Sequence, residues 1–234
     1  ADDAELPTFG PSRLLDFELE MAFIVGKSND LGTSVSVEEA EDHIFGMVVF
    51  NDWSARDIQK WEYVPLGPFL AKNFGSSISP WIVTMEALEQ FRSPSPKQEP
   101  AVLPYLEMKK DHNFDINLEA IIETESGAAK TVSNSNFKHM YWSMAQQLAH
   151  HTINGCNMNV GDMCASGTIS GPTPDSYGSM LEITWRGSKP ISMPDGTERK
   201  FIQDGDTVIM KGFCEKDGKR VGFGEVRTKV LPAV

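Results

Sequence analysis

Two glutamates, Glu18 and Glu20, stand one residue apart in a segment where apolar and polar side chains alternate. In a β-strand, residues two apart point to the same face with their Cα atoms about 7 Å from each other. Negative charges at that spacing repel each other unless a cation or a proton lies between them. Asp52, which follows the apolar run 44–50, is a third candidate, and three carboxylates without a nearby thiol or imidazole favour Mg²⁺, Ca²⁺ or Mn²⁺. On spacing alone, a strand with a solvated acidic face explains the same pattern.

A second group of polar side chains, Arg56, Gln59 and Tyr63, follows Asp52 in a segment with helical composition. Residues three or four apart are neighbours on a helix surface. Arginine binds carboxylates through its planar fork, and glutamine and tyrosine give directed hydrogen bonds, so this group suits a carboxylate or a polarised carbonyl. A surface helix in which Arg56 pairs with Asp57 or Asp52 is the alternative.

Lys72 lies in a stretch rich in glycine, proline and serine, 64–80, which indicates a long ordered loop. Its apolar neighbours Phe69, Leu70 and Phe74 make it a candidate for stabilising a developing negative charge. A solvated surface lysine is the alternative. The stretch 166–171 could approach a ligand with its backbone, but it lacks the spacing of a phosphate-binding loop.

None of the five histidines is predicted to act as a catalytic base. His150 and His151 are adjacent on a predicted helix, where they face about 100° apart and cannot serve one site. His43 and His139 have the character of packing or capping residues, and His112 stands among polar loop residues.

The elements that must position these side chains are mostly strands. Alternation and turn residues predict strands at 14–25, 44–50, 81–84, 114–123, 162–169, 179–185, 207–214 and 220–230. Helices are predicted at 37–43, capped by Ser36, at 53–61 and at 134–154. The pattern therefore predicts one domain that is mainly β with a few helices, in the α+β class.

Composition excludes several classes of protein. The 234 residues carry a formal net charge of −12, which argues against nucleic acid and anionic membrane surfaces as partners. No apolar run reaches the roughly 18–20 residues of a membrane helix. The acidic start, residues 1–5, has no signal-peptide character, and three cysteines without metal spacing indicate a reducing compartment, the cytosol.

Taken together, the motifs resemble the fumarylacetoacetate hydrolase family. The segments that carry the resemblance are 13–23, 51–59, 61–70, 136–142, 165–171 and 221–224. They extend over essentially the whole chain. The carboxylates and the lysine loop belong to the wider superfamily, whereas 61–70 and 136–142 are specific to the enzymes that hydrolyse fumarylacetoacetate.

The resemblance implies a role for each matching residue. Three groups are implied: metal ligands, namely Glu18, Glu20 and Asp52 with the backbone at Lys72 and the hydroxyl of Ser76; catalytic residues, namely Arg56, Gln59, Lys72 and Glu182; and substrate contacts, namely Gln59, Tyr63 and Thr168. The implied cofactor is Mg²⁺ or Ca²⁺. Glu182, on the predicted strand 179–185, matches the carboxylate that orients the family's general-base histidine.

The same resemblance implies a β-roll or sandwich and a homodimer, with residues 1–234 as a single catalytic domain. The family's base histidine, its fourth metal carboxylate and its small N-terminal barrel are expected upstream of Ala1, and three ligands instead of four should weaken the metal site. The implied reaction is hydrolysis of the C–C bond of a 1,3-diketo acid, 4-fumarylacetoacetate, to fumarate and acetoacetate, the last step of tyrosine and phenylalanine catabolism. The alternatives are another superfamily reaction, such as acylpyruvate hydrolysis or decarboxylation, and a non-catalytic metal-binding, dimerising fragment.

Overall fold

The computed structural model describes Leu6 and residues 8–234, so the acidic start at 1–5 lies outside the described residues. Within the described part of the chain, the strands β1 to β15 are Leu15–Asp16, Leu19–Val25, Ile44–Asp52, Ser54–Ala55, Ser76–Ile78, Val83–Thr84, Arg92–Ser93, Asn113–Phe114, Asn117–Glu123, Ala129–Asn136, Met163–Ala165, Ile191–Ser192, Glu198–Arg199, Thr207–Lys216 and Lys219–Lys229. The helices α1 to α5 are Val37–Ala40, Arg56–Glu62, Met85–Leu88, Met144–Thr152 and Met180–Ile183. Short 3₁₀ turns cover Glu41–His43, Glu89–Phe91, Pro104–Leu106, Phe137–His139 and Pro174–Ser176.

Two antiparallel sheets dominate the fold. One has the strand order β10-β9-β14-β15, and the other has the order β11-β2-β3-β5, with β6 also pairing with β3. The sheets approach closely, because a Cβ at Gly212 of β14 would lie 2.8 Å from Val49 Cγ2 of β3. The main apolar cluster contains buried side chains from β2, β3, β9 and β14, so the core lies between the sheets. A mainly β chain with a few helices confirms the predicted fold class.

The burial pattern explains why the strands form where they do. In β9, buried Leu118, Ala120 and Ile122 alternate with half-buried residues, as expected for a strand with one face on the core. In β2, six of seven residues are buried, so both faces are covered. β2, which carries Glu20 and directly follows Glu18, lies between β11 and β3, and both glutamates are buried, so the acidic face is not solvated.

The predicted helix at 134–154 is wrong in its first half. Residues 134–136 continue β10, where Asn136 pairs with Asn117 of β9. The helix α4 begins only at Met144, after a capping box in which the Ser143 hydroxyl accepts the Gln146 N–H and the Gln146 side chain accepts the Ser143 N–H. The apolar residues before α4 stand at helix-like spacing in the sequence, but this stretch forms only the 3₁₀ turn Phe137–His139.

Two other predicted elements also differ from the structure. The predicted strand 179–185 is the short helix α5, because the Ser179 hydroxyl caps it by accepting the Glu182 N–H. It ends at Ile183 with Thr184 as its C-cap, and the turn that follows contains Trp185, which has a positive φ of 49°. The predicted helix at 53–61 begins later, at Arg56, because β4 pairs with β1 before it. The predicted cap at Ser36 is confirmed, and α1 continues into a 3₁₀ turn that ends at His43.

In the described part of the chain, no helix is both long and apolar enough to cross a membrane, and α4, the longest, has nine residues.

Candidate active site and metal centre

The three predicted carboxylates meet at one end of the β2–β3 pair. Leu19 pairs with Asn51 in this ladder, which places Glu18 and Glu20 beside Asp52 at the end of β3. One carboxylate oxygen from each of the three lies within 4.8 Å of the others. A group of this kind can hold a metal ion, and its ligand atoms are all hard oxygens.

The electrostatics of the cluster fit a cation. Burial, followed by the negative charges of Glu18 and Asp52, raises the pKa of Glu20 to about 8. Burial also raises the pKa of Asp52. Burial opposes ionisation of Glu18 as well, but hydrogen bonding to Lys72 and the charge of Arg56 outweigh it and lower the pKa of Glu18. The negative charges of the cluster are thus incompletely neutralised, and the effect is largest at Glu20. A bound divalent cation would supply the missing positive charge.

Lys72 reaches into this cluster from the loop after α2. Its Nζ donates to Glu18 Oε2 at 2.7 Å, to Asp52 Oδ2 at 2.8 Å and to Ser54 Oγ at 2.7 Å. The Lys72 side chain is 19% exposed, so the ammonium is largely removed from water. A solvated surface lysine, the alternative drawn from sequence, is therefore wrong.

Arg56, in the first turn of α2, lies on the other side of Glu18. Its Nε donates to Asp16 Oδ2 at 2.9 Å, and its Nη1 donates to Glu18 Oε1 at 2.7 Å and to Gln59 Oε1 at 3.0 Å. The predicted alternative, an ion pair with Asp57 or Asp52, is wrong, because Asp57 instead accepts the Arg13 N–H and the Ser12 hydroxyl. Since Gln59 accepts through its oxygen and its NH₂ group has no acceptor among the described residues, this NH₂ group can donate to a ligand.

Asp16 is a residue of the site that the sequence patterns did not single out. Its carboxylate is fully buried and accepts the backbone N–H groups of Met180 and Leu181 at 2.8 and 3.0 Å as well as the Arg56 guanidinium. Asp16 therefore joins α2 to α5, the helix that carries Glu182. The only signal in the sequence was its place on the acidic face of the predicted strand, two residues before Glu18.

Glu182 lies in α5, not on a strand. It accepts the Ser170 hydroxyl at 2.8 Å and the Ser179 hydroxyl at 2.8 Å. None of the five histidines hydrogen-bonds to Glu182, Lys72 or the carboxylate cluster in the part of the chain that the structure describes. The arrangement of Glu182 leaves it as an acceptor without a histidine partner among these residues.

The other candidate residues lie around the cluster, and two of the segments that carry them contact it through their backbone. Gly167 donates its N–H to Glu20 Oε2 at 3.0 Å, so the stretch 166–171 does approach the site with its backbone, and Thr168 is half-buried beside it. Ser76 stands opposite Asp52 in the β3–β5 ladder. Tyr63 follows α2 and is 55% exposed. Of the cluster itself, the Asp52 side chain is 25% exposed, so the cluster reaches solvent at Asp52.

A family model named "Fumarylacetoacetate (FAA) hydrolase C-terminal" matches residues 2–231. The chain belongs to the fumarylacetoacetate hydrolase family. This membership confirms the resemblance seen in the sequence.

Curated fumarylacetoacetases from distant organisms are similar to this chain over nearly all of its length. The chain is 57% identical to human fumarylacetoacetase over 100% of its length, 60% identical to that of Dictyostelium discoideum over 97%, and 55% identical to that of Arabidopsis thaliana over 97%. It covers 56%, 54% and 54% of these proteins, respectively, so it spans about half the length of the curated relatives it matches.

Solved structures of the fumarylacetoacetate hydrolase family share the fold. The fumarylacetoacetate hydrolase of the psychrophile Exiguobacterium antarcticum has a TM-score of 0.58 and 21% identity, over 95% of this chain and 58% of that one. A yeast fumarylacetoacetate hydrolase family protein has a TM-score of 0.58 and 17% identity, over 96% of this chain and 71% of that one. At these identities the likeness concerns the fold alone.

Proposed function

We propose that this chain is the catalytic domain of a divalent-cation-dependent hydrolase that cleaves the C–C bond of 4-fumarylacetoacetate to give fumarate and acetoacetate, the last step of tyrosine and phenylalanine catabolism. The observation that carries the proposal is the Lys72 ammonium seated on the buried carboxylate cluster, in a chain 57% identical to human fumarylacetoacetase. Because the curated relatives are longer, the activity is assigned to the full-length polypeptide.

Glu18, Glu20 and Asp52 would hold the cation, Mg²⁺ or Ca²⁺, with the backbone at Lys72 and the hydroxyl of Ser76 nearby. The buried oxygens and the raised pKa of Glu20 support this assignment, because both mark a site that gains from added positive charge. When bound, a divalent cation supplies Lewis acidity that polarises the oxygens of a 1,3-diketone.

The chain's own residues then have distinct roles. Lys72, Arg56 and the free NH₂ of Gln59 stabilise the oxyanion that forms when water adds to the carbonyl next to the fumaryl group. Tyr63, Gln59 and Thr168 orient the substrate. Glu182 orients the general-base histidine, which we place outside the described residues and which takes the proton of the attacking water.

The bond changes balance without a redox partner. The oxygen of water forms the new C–O bond at the fumaryl carbonyl, and the adjacent C–C bond breaks. Its electron pair passes to the acetoacetate carbon, which takes up the proton held by the histidine. Water is the only co-reactant.

We also propose that the protein is a homodimer. Large apolar side chains are exposed along the stretch from the last turn of α2 to β6: Trp61, Leu66, Phe69, Leu70, Phe74 and Trp81. Exposed apolar patches of this kind mark interaction surfaces. Sedimentation velocity is expected to give a dimer, and replacing Phe69 and Leu70 with serine should shift it toward monomer. A wild-type monomer at micromolar concentration would refute the dimer.

Cytosolic location is part of the same proposal. The three cysteines, Cys156, Cys164 and Cys214, are all free thiols in the structure, which suits a reducing compartment.

The proposed activity is tested by following loss of the diketone absorbance of fumarylacetoacetate. The full-length polypeptide is expected to turn it over with Mg²⁺ or Ca²⁺ and to stop in EDTA, while acylpyruvates are poor substrates. The isolated 234-residue chain is expected to be inactive, because no histidine among the described residues hydrogen-bonds to Glu182. Preference for an acylpyruvate, or turnover that persists in EDTA, would contradict the proposal.

A further inference from the structure

Glu62, the last residue of α2, binds the backbone of the segment that leads to Lys72. Its Oε1 accepts the N–H of Phe69 at 2.7 Å and that of Ala71 at 2.8 Å, and its Oε2 accepts the N–H of Leu70 at 3.2 Å. Three successive amides thus converge on one carboxylate. These hydrogen bonds, that of Ala71 first, lower the pKa of Glu62, so it is ionised at neutral pH.

The backbone segment that Glu62 binds sets the position of the Lys72 main chain, from which the side chain extends to Glu18 and Asp52. Ala71 is fully buried, and its carbonyl accepts the N–H of Ala55 at 3.0 Å, so the peptide before Lys72 is held from two sides. The Lys72 N–H donates to the Phe69 carbonyl at 3.0 Å. A shift in these residues would move the lysine ammonium off Glu18 and Asp52.

Side-chain packing does not replace this anchor. In a single protomer, Leu66, Phe69 and Leu70 are 81%, 60% and 65% exposed, so apart from the proposed dimer contact this segment has little apolar packing. Within the protomer, its order depends on backbone hydrogen bonds, of which Glu62 accepts three.

We propose that Glu62 is a positioning residue for Lys72. The first turn of α2 supplies Arg56 and Gln59, and the last residue of the same helix holds the loop that supplies Lys72. Glu62 therefore fixes the distance between the two halves of the oxyanion-stabilising group. The inference rests on the proposed function, because the role of Lys72 in turnover does.

The first test compares E62A and E62Q in the full-length polypeptide, with E107A as the matched control. Glu107 is exposed and its side chain has no hydrogen bond among the described residues. Rates are normalised to the concentration of protein that binds a cation, so that a loss of folded protein does not lower the measured kcat. E62A is expected to lower kcat by about 10- to 100-fold with little change in KM, because misplacement of a catalytic group costs rate rather than binding.

E62Q should fall between wild type and E62A. Its amide oxygen can still accept the Phe69 and Ala71 N–H groups, whereas its NH₂ group faces the Leu70 N–H, a second donor. If the Glu62 charge only stabilised α2, the kcat values would not fall in the order wild type, E62Q, E62A. Wild-type kcat in E62A, or an E62Q that is no better than E62A, would overturn the proposal.

The second test does not depend on turnover. Hydrogen–deuterium exchange at the amides of 69–71 is expected to become faster in E62A and to stay unchanged in E107A, while β3 stays protected. If the wild type fails to hydrolyse fumarylacetoacetate but the exchange changes as described, Glu62 still positions the loop and the proposed function fails. Unchanged exchange at 69–71 would refute the positioning role. If E62A loses protection throughout β3, it is misfolded and E62Q decides both tests.

Discussion

Replacing Lys72 with methionine is expected to lower kcat on fumarylacetoacetate by about 10²- to 10³-fold without loss of divalent-cation binding. Methionine keeps most of the aliphatic stem and removes the ammonium, which donates to Glu18, Asp52 and Ser54 within 2.8 Å. A fixed donor in a site largely removed from water stabilises a developing oxyanion far more strongly than it would in water.

Cation binding should persist because the three carboxylates remain. Without Lys72 their negative charges are less compensated, so calorimetry is expected to show Mg²⁺ affinity equal to or above that of the wild type. Lys97→Met is the control, since Lys97 is 81% exposed and pairs only with Glu99 among the described residues. Near-wild-type turnover of K72M, or loss of its cation binding, would show that Lys72 has a different role.

The second large effect concerns Glu20→Gln, which is expected to act in opposite directions on two quantities. Cation affinity should fall by at least about tenfold, because a ligand carboxylate is lost. The free energy of unfolding of the metal-free protein should rise at alkaline pH, because the substitution removes one of three crowded buried charges. Glutamine keeps an oxygen to accept the Gly167 N–H.

The sign of the pH dependence follows from the raised pKa of Glu20. Its ordinary value is 4.5, and burial together with Glu18 and Asp52 raises it to about 8 in the folded chain. In the metal-free protein the unfolded state therefore releases this proton first, and stability falls as the pH rises from about 4.5 to about 8. E20Q has no such proton and should lose less stability over that range.

Urea unfolding in EDTA at about pH 6 and about pH 9 measures this difference, and calorimetry with Mg²⁺ measures the affinity. Glu107→Gln, an exposed site without a side-chain partner in the described chain, should leave both unchanged. An E20Q protein that is less stable than wild type at pH 9 in EDTA would contradict the crowding of charge. Wild-type affinity in E20Q would exclude Glu20 as a ligand.

Part of the carboxylate cluster could be predicted from the sequence. The separation of Glu18 and Glu20 by one residue fixes a common face for any extended strand. The pairing of Leu19 with Asn51 could not be predicted from the sequence, because strand pairing depends on contacts between residues far apart in the chain. Only that register brings Asp52 beside the two glutamates.

The partners of Arg56 and Lys72 could not be predicted for the same reason. Local spacing offered Asp57 and Asp52 as partners for Arg56, whereas the structure pairs it with Asp16 and Glu18, about forty residues away in sequence. Lys72 follows a loop segment whose backbone is bound by one carboxylate, that of Glu62. Such contacts leave no periodic signal.

Local hydrogen bonding explains the elements that were predicted wrongly. Apolar spacing over 134–154 is typical of a helix, but Asn136 completes the β10 ladder and Ser143 starts the helix with a capping box. At α5, the Ser179 hydroxyl caps a helix where alternation favoured a strand. In both cases a single cap determined the boundary.

The most direct measurement is a crystal structure of the protein soaked in Mn²⁺, with anomalous scattering used to locate the ion. We expect one strong peak within bonding distance of Glu18, Glu20 and Asp52, with Lys72 Nζ beside it, and a weaker peak in E20Q at the same Mn²⁺ concentration. A peak elsewhere, or no peak at a Mn²⁺ concentration that supports turnover, would contradict the assignment of these carboxylates as the metal centre.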